Sequence, residues 1–314
     1  MVADNEEIDV SFVMTVYNKE FYLPAVLDAL LNQSGLKNPE FIFIDDVSKD
    51  KSVEIIRERT KGIKNVTLVA KEKNEGISIT INQGIMRARG KWIRMLDSDD
   101  MLPLDSTAKM IELADKHNAD IVYGLFKKTG LEPEELTKEL MAKDYDYDYK
   151  ENTLTAVLNG RFTRMGQLIK REVLQYAGGA DERVFIQDES IPLRASIYSK
   201  GIIKMFTEVV LVPRETNNLS KNTNQLDNDR FFAHYYFLLD NMKIMDDVSI
   251  AKVYEKTLSA NWKYVKKNLK FAYLRPDFMH YLMAKIFKLK PNFKLLEKYA
   301  QRFQTLTNVL RSKK

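Results

Sequence analysis

Between residues 10 and 123 short apolar runs alternate with amphipathic stretches, and this alternation constrains the fold more than any other feature. Val10–Val16 (VSFVMTV), Phe41–Ile44 (FIFI), Val66–Ala70, Trp92–Leu96 and Ile121–Tyr123 read as buried strands. Phe21–Gln33, Ser52–Thr60, Ile77–Arg89 and Ser106–His117 carry apolar residues at helical spacing. Strands that alternate with helices predict a mostly parallel sheet flanked by helices on both faces, an α/β fold. Polar residues gather just after the strands, at Tyr17-Asn18, Asp45-Asp46, Asn74 and Asp97–Asp100. In open α/β sheets ligands bind outside the carboxyl ends of the strands, so these loops are expected to converge on one site. Taken singly, each loop reads rather as a turn or helix cap rich in Asp, Asn and Gly, and it is the four together that point to a site.

Beyond Gly124 the pattern weakens. Lys127–Lys150 reads as an exposed loop or an edge strand. Thr153–Leu158, Arg171–Ala177 and Asp188–Tyr198 look helical, with Pro192 near the first turn of the last. Ile202–Val212 reads as a strand pair or one long strand, and Asn217–Asn228 as a polar loop or linker. From Arg230 the pattern is helical to the end, broken by Pro276 and Pro291. The expected organisation is an α/β domain over 1–220 and a basic, mainly helical region over 221–314.

Composition removes several chemistries. The chain has no cysteine, which excludes disulfides, thiolate metal sites and a cysteine nucleophile. Three histidines leave little room for a histidine-based zinc site. The acidic N-terminus MVADNEEIDV does not read as a signal peptide, and no apolar stretch of transmembrane length occurs. Residues 251–314 carry 16 Lys and Arg against 3 Asp and Glu, a net of +13. The whole chain stands at +5, so residues 1–250 sum to −8. This asymmetry calls for an anionic partner or a solvated basic face. Lysines there interleave with Trp262, Tyr264, Phe271, Phe278, Ile286 and Phe287. Basic helices with aromatics and leucines on another face suit an anionic membrane surface. The same pattern suits a helical subdomain that packs on the α/β domain. No nucleic-acid-binding motif accompanies the charge, so nucleic acid is not expected.

Asp97-Ser98-Asp99-Asp100 puts three carboxylates within four residues at a strand end. A hard divalent cation suits such a turn, with substrate phosphates completing its shell. A solvated acidic turn that caps the next helix is the other reading.

Four segments carry a family resemblance: VSFVMTVYN (10–18), FIFIDDVSKDKS (41–52), NEGISITINQGIMRARGKWIRMLDSDD (74–100) and GQLIKREVLQYAGGADERVFIQDESIPLRA (166–195). In order and spacing they resemble the family 2 inverting glycosyltransferases, which have the GT-A nucleotide-sugar-binding fold. The likeness spans roughly 9–220, and 221–314 resembles nothing nameable. The resemblance implies that Thr15 and Tyr17 contact the nucleotide base. It implies that Asp46 accepts the base's ring N–H, which points to a UDP- or dTDP-sugar. Asn74, Gly76 and Asn82 match the loop and helix beside the nucleotide. Asp97 and Asp99 resemble the outer acids of the Asp-X-Asp motif, Asp97 near the ribose or donor sugar and Asp99 on Mn2+ or Mg2+. Asp188 matches the general base that deprotonates an acceptor hydroxyl. Read by itself, without the resemblance, Asp188 followed by Glu189 reads as a helix N-cap.

This chain departs from the family at Gln187, where a glutamate is usual. It also lacks a histidine in Pro213–Asn217, where Arg214 offers a phosphate contact by charge. The resemblance therefore implies an inverting metal-dependent transferase that moves a sugar from a nucleotide sugar to a glycan or lipid-linked acceptor of the cell envelope. Such an enzyme would be cytoplasmic and peripheral on the inner face of the membrane. A catalytically silent nucleotide-sugar-binding scaffold is the alternative. A nucleotidyltransferase is a third reading, but Tyr17-Asn18-Lys19 is a poor substitute for its glycine- and lysine-rich loop.

Overall fold

The computed structural model describes residues 7–136, 146–160, 166–213 and 223–311. Its centre is an eight-stranded sheet of order β3-β2-β1-β4-β7-β5-β8-β6. The strands are β1 Val10–Val16, β2 Glu40–Asp45, β3 Val66–Ala70, β4 Trp92–Asp97, β5 Ile121–Lys128, β6 Tyr147–Lys150, β7 Gln167–Lys170 and β8 Ile202–Val212. β3, β2, β1 and β4 run parallel, as do β5 and β8. Short β7 lies antiparallel between β4 and β5, and β6 closes the far edge antiparallel to β8.

β1 is buried along its whole length because both faces are covered, which explains its unbroken apolar run. Phe12, Met14 and Val16 face α1 (Leu23–Leu31), α2 (Ser52–Arg59) and α4 (Ser106–His117). Val13 faces the opposite layer, which holds α3 (Ile77–Arg87), α6 (Thr153–Asn159), α7 (Arg171–Tyr176) and α8 (Gln187–Ser196). That layer continues into α9 (Thr223–Asn241), α10 (Asp247–Asn268), α11 (Pro276–Phe287) and α12 (Phe293–Arg311). A single helical turn, α5 (Pro133–Leu136), adds Leu136 to the first layer.

The amino ends of the central strands are tied by a buried carboxylate. Glu40 accepts from Ser11 Oγ at 2.5 Å and from the Arg89 N–H at 2.9 Å, and pairs with Arg89 Nε at 2.7 Å. Gly90 passes so close to β1 that a Cβ there would lie 2.6 Å from the Ser11 backbone nitrogen. Deeper in the sheet, Arg94 of β4 is fully buried, and its guanidinium reaches Ser106 Oγ, Thr107 Oγ1 and the Val209 carbonyl. Hydroxyls and a carbonyl thus join the sheet's middle to α4 and β8.

Several readings of the sequence change. Asn217–Asn228 is not wholly a loop: residues 223–228 open α9, while 217–222 lie outside the described residues. Leu226 packs on the core and Asp227 and Asp229 are buried, so tertiary contacts override the polar composition. Pro192 lies in the second turn of α8, not the first, and supplies no backbone N–H to the helix ladder there. Ile202–Val212 is one strand. β5 continues to Lys128 past a register shift near Gly124, the residue that broke its apolar pattern. Four-residue β7 gave no periodic signal of its own.

The C-terminal helices pack into the same apolar core as the sheet. Phe231 of α9 contacts Phe303 of α12 at 4.8 Å, and Tyr264 of α10 contacts Phe303 at 5.1 Å. A buried polar knot joins the last three helices: Asp277 Oδ1 accepts from Asn261 Nδ2 at 2.9 Å and Arg302 Nη1 at 2.6 Å. Burial pushes the Asp277 carboxyl up, but the Arg302 guanidinium and the Asn261 amide more than reverse this and hold it below its ordinary value. A carboxyl depressed by folding contributes stability that is present above its unfolded pKa, about 3.9, and is lost as pH falls through the lower folded value. Asp277→Asn is expected to melt below wild type near neutral pH. The gap should narrow as the buffer is taken below about pH 4, measured by circular dichroism melts across a pH series.

Candidate active site

Strand register sets the site. Thr15 pairs with Ile44 on one side and with Asp97 on the other, and Asp45 pairs with Ala70. The loops after β1, β2, β3 and β4 therefore leave the sheet along one edge, as their polar residues predict.

Asp46 is the residue that binds these loops together. Its N–H donates to the Val16 carbonyl at 2.9 Å. Its carboxylate takes Lys71 Nζ at 2.7 Å, the Glu75 N–H at 3.1 Å and the Gly76 N–H at 3.2 Å. Asn74 returns a bond from Nδ2 to the Asp46 carbonyl at 3.0 Å. Gly76, at φ 86°, takes a backbone shape that favours glycine and opens α3 directly over this carboxylate. Lys71 also reaches Glu75 at 3.0 Å and Thr80 Oγ1 at 3.0 Å. Beside it, Asp45 accepts the Ser48 N–H at 3.0 Å through Oδ2, while its buried Oδ1 has no hydrogen-bond partner.

The loops after β1 and β2 are stitched to each other. The Asn18 N–H donates to Ser48 Oγ at 3.0 Å, the Lys49 N–H to Asn18 Oδ1 at 2.7 Å, and the Lys19 N–H to Ser52 Oγ at 2.9 Å. Thr15 is buried at the strand end, and the Tyr17 ring stands half exposed above it.

The acidic turn after β4 divides by side. Ser98 and Asp100 point inward and are buried, whereas Asp97 and Asp99 are partly exposed. The Asp97 N–H donates to Asp100 Oδ2 at 3.2 Å. Paired backbone bonds between Met101 and Leu211, of 2.9 and 2.8 Å, pin the turn to β8. Asp99 forms an ion pair with Lys19, whose ammonium also lies 5.1 Å from the Tyr22 ring. Among the described residues no group of three or more His, Asp or Glu side chains is arranged to hold a metal ion. Asp97 and Asp99 are the carboxylates of this turn whose partial exposure would let them reach an ion. Any ion at Asp99 would have to displace the Lys19 ammonium.

Asp188 comes from the other side. It is the second residue of α8, in its first turn, and Ile186 is the N-cap, so the capping role open to Asp188 in the sequence is not the one it has. A partly exposed carboxylate there lies in the favourable field of the helix amino end. The approach to α8 is clamped onto α3. Ser78 Oγ donates to the Val184 carbonyl at 2.7 Å, and Asn82 exchanges bonds of 3.0 and 2.8 Å with Ala180. The Asn82 amide also reaches Glu182 at 2.9 Å, so Asn82 is committed to this loop. Glu189, next to Asp188, pairs with Arg230 of α9 at 2.5 Å. Arg194 Nε holds the Ala177 carbonyl at 3.0 Å. Arg214 lies outside the described residues. Nothing in the sequence signals that Lys19, Lys71 and Arg230 pair with Asp99, Asp46 and Glu189, because a lone basic residue after a strand or within a helix carries no spacing signal.

The profile of Glycosyl transferase family 2 matches residues 11–178, more than half of the chain. The chain belongs to this family. An uncharacterized glycosyltransferase of Haemophilus influenzae is 33% identical over 166 residues, which cover 53% of this chain and 64% of that protein. The minor teichoic acid biosynthesis protein GgaB of Bacillus subtilis is 33% identical over 114 residues, 36% of this chain and 13% of that one. The chain thus spans less than two thirds of the length of these relatives. The crystal structure of S. aureus TarS 1–349 in complex with UDP superposes with a TM-score of 0.66 at 15% identity, covering 98% of this chain and 92% of that one. The architecture is accordingly the GT-A fold of this family, whose members commonly use divalent metals.

Because Asp46 holds an amine and two backbone N–H groups from another loop, its loss should unfasten the site before the sheet. Asp46→Ala is expected to lower stability by about 1–3 kcal/mol in urea unfolding, since it removes the buried carboxylate partner of Lys71 and leaves its ammonium only Thr80 and the more exposed Glu75. Hydrogen exchange should rise first at the amides of residues 71–76.

Proposed function

We propose that this chain is an inverting glycosyltransferase that moves a sugar from a nucleotide sugar, UDP-linked, to a hydroxyl of a cell-envelope glycan or lipid-linked acceptor. The observation that carries the reading is that four strand-end loops leave the same end of the sheet in a family 2 chain, Asp46 joining those after β2 and β3 and the Lys19–Asp99 pair joining those after β1 and β4. The neighbour with UDP bound supports the choice of donor. The teichoic acid protein among the relatives supports an envelope acceptor.

In this reading Thr15, Tyr17 and the Asp45-Asp46 pair receive the base. Asn74 and Gly76 shape the wall beside it, and Asp97 meets the ribose or donor sugar. Asn82 acts by holding the 180–182 loop, and Arg214 contributes a phosphate contact by charge. Asp99 would hold Mn2+ or Mg2+, which when bound offsets charge on the departing diphosphate. The Asp188 carboxylate takes the proton of the acceptor hydroxyl as that oxygen bonds to the anomeric carbon. The bond from that carbon to the diphosphate oxygen breaks with its electron pair leaving on the nucleotide. One displacement from the opposite face inverts the anomeric centre. Within the basic, mainly helical region 221–314, residues 251–314 meet an anionic membrane surface on the cytoplasmic side, where a lipid-linked acceptor would be reached.

A catalytically silent nucleotide-sugar-binding protein is the second reading, favoured by Gln187 in place of the usual acid. Calorimetry with UDP and a panel of UDP-sugars, in manganese, magnesium or EDTA, tests the donor site. Binding of UDP and one UDP-sugar is expected, and no binding of any nucleotide would overturn the reading. Asp188→Asn is expected to keep donor affinity while lowering transfer by about 10²–10⁴-fold, the range ascribed to a positioned base. Near-normal turnover in that variant would remove Asp188 from the role. Donor binding without transfer or hydrolysis in the wild type would select the silent reading.

A further inference from the structure

Helix α11 is apolar on two sides. Its inner face is set by Asp277, paired with Arg302, by His280 against the Tyr299 hydroxyl at 2.7 Å, and by buried Ala284. Its outer face carries Met279, Met283, Ile286 and Phe287 at spacings of four, seven and eight residues, one stripe of a helix. These four side chains are 51, 39, 59 and 60% exposed. The turn that leads into α11 adds Phe271 and Leu274, 79 and 84% exposed. Phe271 adopts a left-handed backbone, φ 53°, which is unfavourable for a bulky side chain. Apolar side chains this exposed and this close in the chain form a patch, unlike single surface hydrophobics, which are ordinary.

The surroundings of the patch identify its occupant. Lys266, Lys267, Lys270, Lys285, Lys288 and Lys290 flank it, all exposed. The one acid between 266 and 290 is Asp277, which is turned inward. A second copy of the chain would bring one lysine rim against another, an unfavourable match. An anionic bilayer meets both demands at once: its headgroups take the lysines and its acyl boundary takes the apolar stripe. No helix among the described residues is long and apolar enough to cross a membrane, so contact here is interfacial.

We infer that residues 266–290 form an interfacial membrane-binding edge. Phe271, Leu274, Met279, Met283, Ile286 and Phe287 enter the headgroup–acyl boundary, and the flanking lysines hold anionic headgroups. The inference rests on the membrane contact proposed above and assigns it to named side chains. It needs no particular donor or acceptor.

The test is sedimentation of the full chain with vesicles of phosphatidylcholine alone or mixed with phosphatidylglycerol. Binding is expected only to the mixed vesicles and should weaken as sodium chloride is raised. The double variant Leu274→Ser, Ile286→Ser is expected to bind about tenfold or more weakly, because two exposed apolar groups no longer enter the boundary. Its UDP affinity by calorimetry should be unchanged, which separates this edge from the donor site. Three results would each overturn the inference: no association with anionic vesicles, undiminished association of the double variant, or a dimer in light scattering that the double variant abolishes. Loss of UDP binding in the wild type would count against the donor reading and leave the vesicle result to decide this one.

Discussion

The site depends on one buried carboxylate that is shared between loops. Asp46 leaves β2 at the same edge as its neighbours, and its bonds to Lys71, Glu75 and Gly76 fold the segment after β3 back over the sheet. That segment is the start of α3, and α3 in turn grips the loop before α8 through Ser78 and Asn82. Asp188 therefore owes its position to a chain of contacts that begins at Asp46. A buried anion of this kind is stable because a cation and two N–H groups surround it, and removal of the anion leaves the cation expensive.

The strands and helices up to His117 were legible because both faces of the sheet are covered. Coverage of both faces turns β1 and β2 into continuous apolar runs, and it gives α1, α3 and α4 one apolar stripe each. β7 escaped because four residues carry no period and because it pairs antiparallel between strands distant in sequence. The start of α9 escaped for the opposite reason: its polar composition reads as a loop, and only packing against the core makes it helical.

The acids of the site were legible because carboxylates at strand ends stand out in a sequence, and their lysines were not. Lys19 and Lys71 sit 80 and 25 residues from the acids they meet, so only the fold brings them together. Asn82 was legible as a site residue by family likeness, but its amide is engaged with Ala180 and Glu182. The likeness marks which positions matter, and the hydrogen bonds say whether a side chain faces a ligand or holds the loop that does.

Arg94 places behind the acidic turn a positive charge that no ordinary change of pH can remove. It lies fully buried three residues before Asp97, about 10 Å along the strand. A guanidinium does not release its proton inside a protein. The strand that carries the turn therefore holds a fixed positive charge, while the Lys19 ammonium meets Asp99 from the front. Exchange of cations at the mouth of the site leaves this background field as it was. The acidic turn is thus backed by a charge that no incoming ligand needs to displace.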